Sequence, residues 1–175
     1  EMTSSLVGSE MCIRDSPVWR EELKERLVTE GNGLYHLRDE YVKEESRKFP
    51  GEGTHFVVSG EISSIYKKNG KTRKVHNVIL LPSLEAADAM AQRLEKIGNI
   101  HSDGRPILGL DSHDLLEMML DVCPEGILIP AHIWTPHFSV LGAKSGFDSV
   151  EECFEELAPY IHALETGLSS DPAMN

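Results

Sequence analysis

Residues 56–81 read FVVSGEISSIYKKNGKTRKVHNVILL, and this stretch decides the fold. Phe56 to Tyr66 alternates apolar with small or polar residues, as a half-buried strand does. Asn69-Gly70 accepts the positive φ angles of a two-residue hairpin turn, and Lys74 to Leu81 continues as a second strand. Two ionisable residues interrupt these apolar strands, Glu61 in VVSGEISSI and His76 in RKVHNVILL.

Working outward, Ser83 opens a predicted helix with Leu84, Ala87, Met90, Ala91 and Leu94 on one stripe, stopping near Gly98. Asp111 or Ser112 caps a second helix through Leu115, Leu116, Met119 and Val122, ended by Pro124. Gly126 to Ile133 is a short apolar run, expected as a strand buried on both faces. Asp148 with Glu151 resembles a capping box for a helix over Val150 to Leu157, and Ile161 to Glu165 is expected as a last short strand. Toward the N-terminus, Leu34 to Leu37 is strand-like, and Ser16-Pro17 starts a helix to about Val28. Strands alternating with helices predict an α/β layer or barrel with a parallel core.

The chain has 175 residues, enough for one domain with a substantial core, and a formal net charge of -12. That charge excludes attraction of nucleic acid to the whole surface. It leaves room for a nucleic-acid enzyme whose bound metal brings its own positive field. No apolar run approaches the roughly 20 residues of a membrane span, so no membrane segment is expected. Cys12, Cys123 and Cys153 have no paired spacing and read as free thiols of a reducing, cytoplasmic compartment. Residues 1–16 show no helical or strand period, and SLVGSEMCIRDS resembles translated adapter sequence. They are expected to be a foreign or disordered leader, with 17–175 as the domain. The chain ends at Asn175 after the turn-like stretch Gly167 to Pro172, where a cut gene is expected, with a natural C-terminus as the alternative.

His132 in ILIPAHIWTP joins Glu61 and His76 as a third ionisable residue at or inside an apolar strand. Any one of them alone reads as a polar residue at the core edge, satisfied by the backbone. Three on separate strands point to a site, because strand ends converge on one face of such folds. A carboxylate with two imidazoles is a ligand set for zinc, manganese or iron.

The blocks SGEISSIYKK, RKVHN, RLEKIGNIHSDGRPILGLD, PAHIWTP, GAKSGFDSVEECF and ALETGLSSDPAMN resemble the PHP-domain superfamily and, within it, the endonuclease Q family. The resemblance covers essentially all of residues 17–175. It implies a partial, distorted (β/α)7 PHP-type barrel holding up to three divalent ions, with zinc, manganese or magnesium as candidates. It also implies hydrolysis of DNA on the 5′ side of deaminated bases (uracil, hypoxanthine) or abasic sites. On this resemblance Glu61 bridges two metals and His76 and His132 complete the ligands of one, which makes the three the catalytic and metal-binding residues. The chain departs from the family in lacking the His-x-His pair, the Asp/His pair before the first helix and the late Ser-Asp-Ala-His motif. It is therefore expected to be inactive alone.

Further candidates attach to this expectation. Gly167, Leu168, Ser169 and Ser170, with Glu165 nearby, could read the Watson–Crick edge of a flipped base, or form an ordinary barrel loop. The basic hairpin Lys67, Lys68, Lys71, Arg73 and Lys74 could position a phosphate backbone, or be a solvated turn. Trp134, Phe138 and Lys144 could stack on or grip DNA, with packing as the alternative for Trp134. His137 stands where the family has Trp and reads as a ligand or a solvent-facing residue. Three functions remain: a lesion-directed DNA endonuclease, a phosphatase of small phosphomonoesters, and a non-catalytic, incomplete barrel.

Overall fold

The hairpin at Asn69-Gly70 organises the molecule. In the computed structural model, which describes residues 11–12, 17–43, 54–101 and 105–166, both turn residues have positive φ, 53° and 73°. They join β4 (His55–Lys68) to β5 (Lys71–Leu81) in an unbroken antiparallel ladder from Lys68↔Lys71 to Val58↔Leu81. A two-residue link leaves no alternative to antiparallel pairing.

The sheet grows from this pair. β2 (Leu27–Thr29) and β3 (Leu34–Leu37) add on the β4 side, and β7 (Ile127–Pro130) adds on the β5 side, giving the order β2-β3-β4-β5-β7 with antiparallel neighbours throughout. Among the described residues, only two-residue pieces pair in parallel, both with β4: β1 (Met11–Cys12) and β6 (Ile107–Leu108). The expected parallel core is thus corrected, for the hairpin outweighs strand–helix alternation. Apart from Met11–Cys12, the expected leader lies outside the described residues.

Period-two alternation gives the hairpin two unlike faces. One carries Val58, Ile62, Val75, Ile79 and Leu81 into the core, under the helices α2 (Leu84–Leu94) and α3 (Ser112–Val122). The buried residues of α2 are Leu84, Ala87, Met90, Ala91 and Leu94, the predicted stripe. Ser83 caps α2, its Oγ accepting from Ala86 N–H, and Asp111 caps α3 by accepting from His113 N–H. The other face of the hairpin carries Ser59, Glu61 and Ser63 opposite Leu80, Val78 and His76.

Four local expectations change. β7 is buried on one face only, with Leu128 fully buried and Ile127 exposed. α4 (Val150–Phe154) is capped by Ser149 rather than Asp148, and runs into a 3-10 helix, Glu155–Tyr160. Its first helix, α1 (Pro17–Arg26), ends two residues early because Leu27 and Val28 join β2. Ile161 to Glu165 is irregular, though Glu165 bonds through its backbone to Pro130 and Ile133.

Candidate metal centre

Glu61 and His76 meet because the register requires it. His76 pairs with Ser63, two residues along β4 from Glu61, so both side chains leave the same face of neighbouring strands. His132 comes from the end of β7, whose Pro130 pairs with Asn77, and Ala131 N–H donates to the His76 carbonyl at 2.9 Å. The three residues lie 15 and 56 positions apart along the chain, yet their ligand atoms lie within 4.8 Å of one another. His76 Nδ1 is 3.0 Å from His132 Nε2, and Glu61 Oε1 is 3.4 Å and 3.9 Å from those two atoms.

His132 is held in an unusual backbone conformation, φ +33°, which a non-glycine residue adopts at some cost. Its supports are visible. Its N–H donates to Glu165 Oε2 at 2.7 Å, its Nδ1 lies 2.9 Å from Thr135 Oγ1, and Thr135 N–H donates back to its carbonyl at 2.9 Å. His76 meets His132 edge-to-face and lies tilted over the Phe138 ring, with centroids 4.7 Å apart. Burial, then the Arg105 and His132 charges, push the His76 imidazole down to about 3, so it is neutral at pH 7.

These residues fit a divalent cation. The donor set is one carboxylate and two imidazoles, His76 is neutral, and three protein ligands leave coordination positions for a substrate or water. The polar column extends beyond the ligands: Ser59 and Ser63, flanking Glu61 on the same face, are buried with hydroxyls that have no hydrogen-bond partner among the described residues. A second group, His113 with Glu155 and Glu156, is exposed at its acids, and its members already bond each other, Asp114 or Lys68.

Other predicted site residues fall in different places. The Glu165 carboxylate is engaged with His132 N–H, so it acts on a ligand rather than lying free beside it. Lys74 Nζ sits 5.3 Å from the centre of the Phe138 ring, at the edge of the cluster. Lys144 and His137 are exposed, and His137 is not among the grouped ligands. Trp134 is half-buried and packs on the core. Gly167, Leu168, Ser169 and Ser170 lie outside the described residues.

The basic hairpin is smaller than its sequence suggests. Lys68 is largely buried between Asp111 and Glu155, at 3.3 Å and 2.7 Å, and donates to the Cys153 carbonyl. Arg73 is 4% exposed, bonded to Glu152 and the Gly146 carbonyl and stacked on Phe147. Lys67 and Lys71 are exposed and Lys74 half-buried.

Arg105 is the residue of the site that carries no individual signal in the sequence. Its Nη2 lies 2.6 Å from Glu61 Oε2 and its Nη1 3.4 Å from His76 Nε2. A lone arginine in a polar loop looks like any solvated charge until the sheet is formed.

No family model matches the chain. Over 78 residues it is 33% identical to Uncharacterized protein MJ0043 of Methanocaldococcus jannaschii, covering 44% of this chain and 10% of that protein. Among solved structures, the lesion-specific endonuclease PfuEndoQ from Pyrococcus furiosus is similar over 94% of this chain, with 23% identity and a TM-score of 0.66. A complex of Endonuclease Q with a 27-mer duplex bearing an abasic lesion at its active site matches over the same share, with 24% identity and a TM-score of 0.67. The chain spans 34% and 35% of those two chains. Its fold is that of a section of the endonuclease Q structures.

Proposed function

We propose that this chain carries part of the metal site of a DNA-repair endonuclease, a PHP-type phosphoesterase that hydrolyses the phosphodiester 5′ of deaminated or abasic nucleotides. The observation that supports this is the meeting of Glu61, His76 and His132 ligand atoms within 4.8 Å, in a fold shared with lesion-directed endonucleases. The antiparallel sheet is then the part of the catalytic domain that carries these ligands, with residues 17–175 one part of that domain.

Glu61, His76 and His132 would hold the cation, with zinc favoured by the two imidazoles and manganese or magnesium as alternatives. A bound divalent ion supplies a polarised phosphoryl oxygen and a water acidic enough to act as nucleophile at neutral pH. The chain's own part is positional. Glu165 and Thr135 orient His132, and Phe138 packs His76 against His132. Lys74 at the edge and the exposed Lys144 would contact the DNA backbone, with Trp134 contributing more to packing than to base stacking. Gly167, Leu168, Ser169 and Ser170, which follow Glu165 in the sequence, would read the lesion through backbone N–H groups.

Since the chain spans about a third of each solved structure, we expect it not to nick DNA by itself. The test uses the full reading frame that contains it, in Mn²⁺ or Zn²⁺, on duplexes with uracil, hypoxanthine, an abasic site or no lesion. Lesion-dependent nicking that His76→Ala abolishes is expected. The acidic charge of -12 favours a second reading, a phosphatase of small phosphomonoesters. Hydrolysis of p-nitrophenyl phosphate without any nicking would establish that reading in place of the first.

A further inference from the structure

The hydrogen bonds around the two histidines all run in one direction. Thr135 Oγ1 is 2.8 Å from the His137 carbonyl and 3.1 Å from the His132 carbonyl. Carbonyls only accept, so the single hydroxyl proton goes to one of them, and toward His132 Nδ1 the oxygen accepts. His132 therefore carries its proton on Nδ1 and presents the Nε2 lone pair, which faces His76 Nδ1 at 3.0 Å. His76 is the donor in that contact. At its other nitrogen stands Arg105, a group with donors only, so His76 Nε2 accepts. The tautomers assigned by this network are Nδ1–H for both rings.

A cation needs a lone pair from His76, and both routes to one pass through Arg105. Through Nε2, together with Glu61 Oε2, the cation takes the place where the guanidinium now lies, 3.4 Å and 2.6 Å from those atoms. Through Nδ1, the ring proton must move to Nε2, where it points at a guanidinium N–H. Either way, Arg105 must give up its contact with His76, and it shares the Glu61 carboxylate with the cation. Its side chain is 39% exposed, so it has solvent to move into.

We propose that Arg105 is a built-in counter-cation of the Glu61–His76 pair: a divalent cation and this guanidinium compete for Glu61 and His76, so cation loading frees Arg105 from His76 at the mouth of the site. Arg105 is thus a positioning residue coupled to occupancy, and the inference rests on the metal-site reading above. A freed guanidinium beside a bound cation is suited to a phosphodiester oxygen, which it can hold bidentately.

The test is calorimetric titration of Mn²⁺, and separately Zn²⁺, into the wild-type chain, Arg105→Gln and Arg105→Lys. Arg105→Gln is expected to bind about three- to tenfold more tightly, the size set by loss of one partly exposed ion pair. Arg105→Lys, which keeps the charge, should fall between the two. Wild type binding one cation with Arg105→Gln equal or weaker would overturn the competition and leave the metal site standing. Titrations without heat in wild type, Arg105→Gln and His132→Ala alike would defeat the metal site, and the inference with it. Long-range ¹H–¹⁵N correlation of the metal-free wild type gives a readout independent of any variant's folding. His76 protonated at Nδ1 is expected, and protonation at Nε2 would overturn the donor chain.

Discussion

The Glu165 carboxylate accepts a 2.7 Å hydrogen bond from the backbone N–H of His132, the residue whose φ of +33° aims its ring at His76. A charge-assisted bond to a main-chain donor is of the kind that keeps an unfavourable backbone conformation in place. Glu165→Ala is expected to lower stability by about 1–2 kcal/mol, from loss of a charged hydrogen bond at a half-buried site. It should also weaken Mn²⁺ binding about tenfold, as removal of a group that orients a metal ligand does. Urea unfolding and calorimetry check the two effects. Glu165→Gln, which still offers an oxygen, should recover most of both.

Thr135 fixes the His132 ring through its hydroxyl at 2.9 Å from Nδ1. Thr135→Val keeps the shape and removes the acceptor. The His132 tautomer preference is expected to be lost in ¹⁵N spectra, with metal affinity falling about tenfold. Unchanged spectra would remove Thr135 from the orienting network.

The basic hairpin divides into two classes of residue. Arg73→Met removes a buried guanidinium from its stack on Phe147 and its bonds to Glu152 and the Gly146 carbonyl, and should lower the melting temperature clearly. Lys67→Ala and Lys71→Ala are exposed changes and should stay within about 0.5 kcal/mol of wild type. On the proposed function, their effect would appear in the salt dependence of DNA binding. Thermal melts of the three variants separate the classes.

Cys153 is fully buried beneath Tyr66 and Lys68, and burial pushes its thiol up to about 12. Only the thiolate reacts with aromatic disulfides, so at pH 8 the folded protein should expose almost none. In a Cys12→Ser, Cys123→Ser background, Cys153 is expected to remain unlabelled by DTNB at pH 8 for as long as the protein stays folded. Urea should release it at once. Rapid labelling of the native protein would show that this end of the core opens.

Gly70 at φ +73° closes the hairpin that sets the register between Glu61 and His76. Gly70→Val is expected to destabilise by about 1–2 kcal/mol, since a β-branched residue is strained in the left-handed region. Denaturant midpoints measure it. Because the ladder continues for ten further pairs, the fold should survive.

Much of the local structure was legible in the residues. The stripe Leu84, Ala87, Met90, Ala91, Leu94 and the caps Ser83 and Asp111 are short-range patterns, and each lies where its spacing put it. Asn69-Gly70 announced the hairpin for the same reason. Pairing direction beyond the hairpin was misread because strand–helix alternation is a statistical cue, whereas here β3, β5 and β7 all run against their neighbours. Ser149, not Asp148, caps α4 because the Ser149 hydroxyl lies three residues before the Glu152 N–H that it accepts from. Arg73 and Lys68 looked like free charges since nothing in KKNGKTRK reveals that Glu152, Asp111 and Glu155 are waiting across the core edge.

The sequence by itself determined the hairpin, α2 and α3 and singled out Glu61, His76 and His132, because an ionisable group inside an apolar strand is costly unless it has a partner. Only the tertiary structure decided what those groups meet. Strand register put Glu61 beside His76, the end of β7 brought His132 within 3.0 Å, and a loop delivered Arg105 to both Glu61 and His76. Contacts of a few ångströms between residues tens of positions apart depend on how the sheet is assembled, and local spacing carries no record of that.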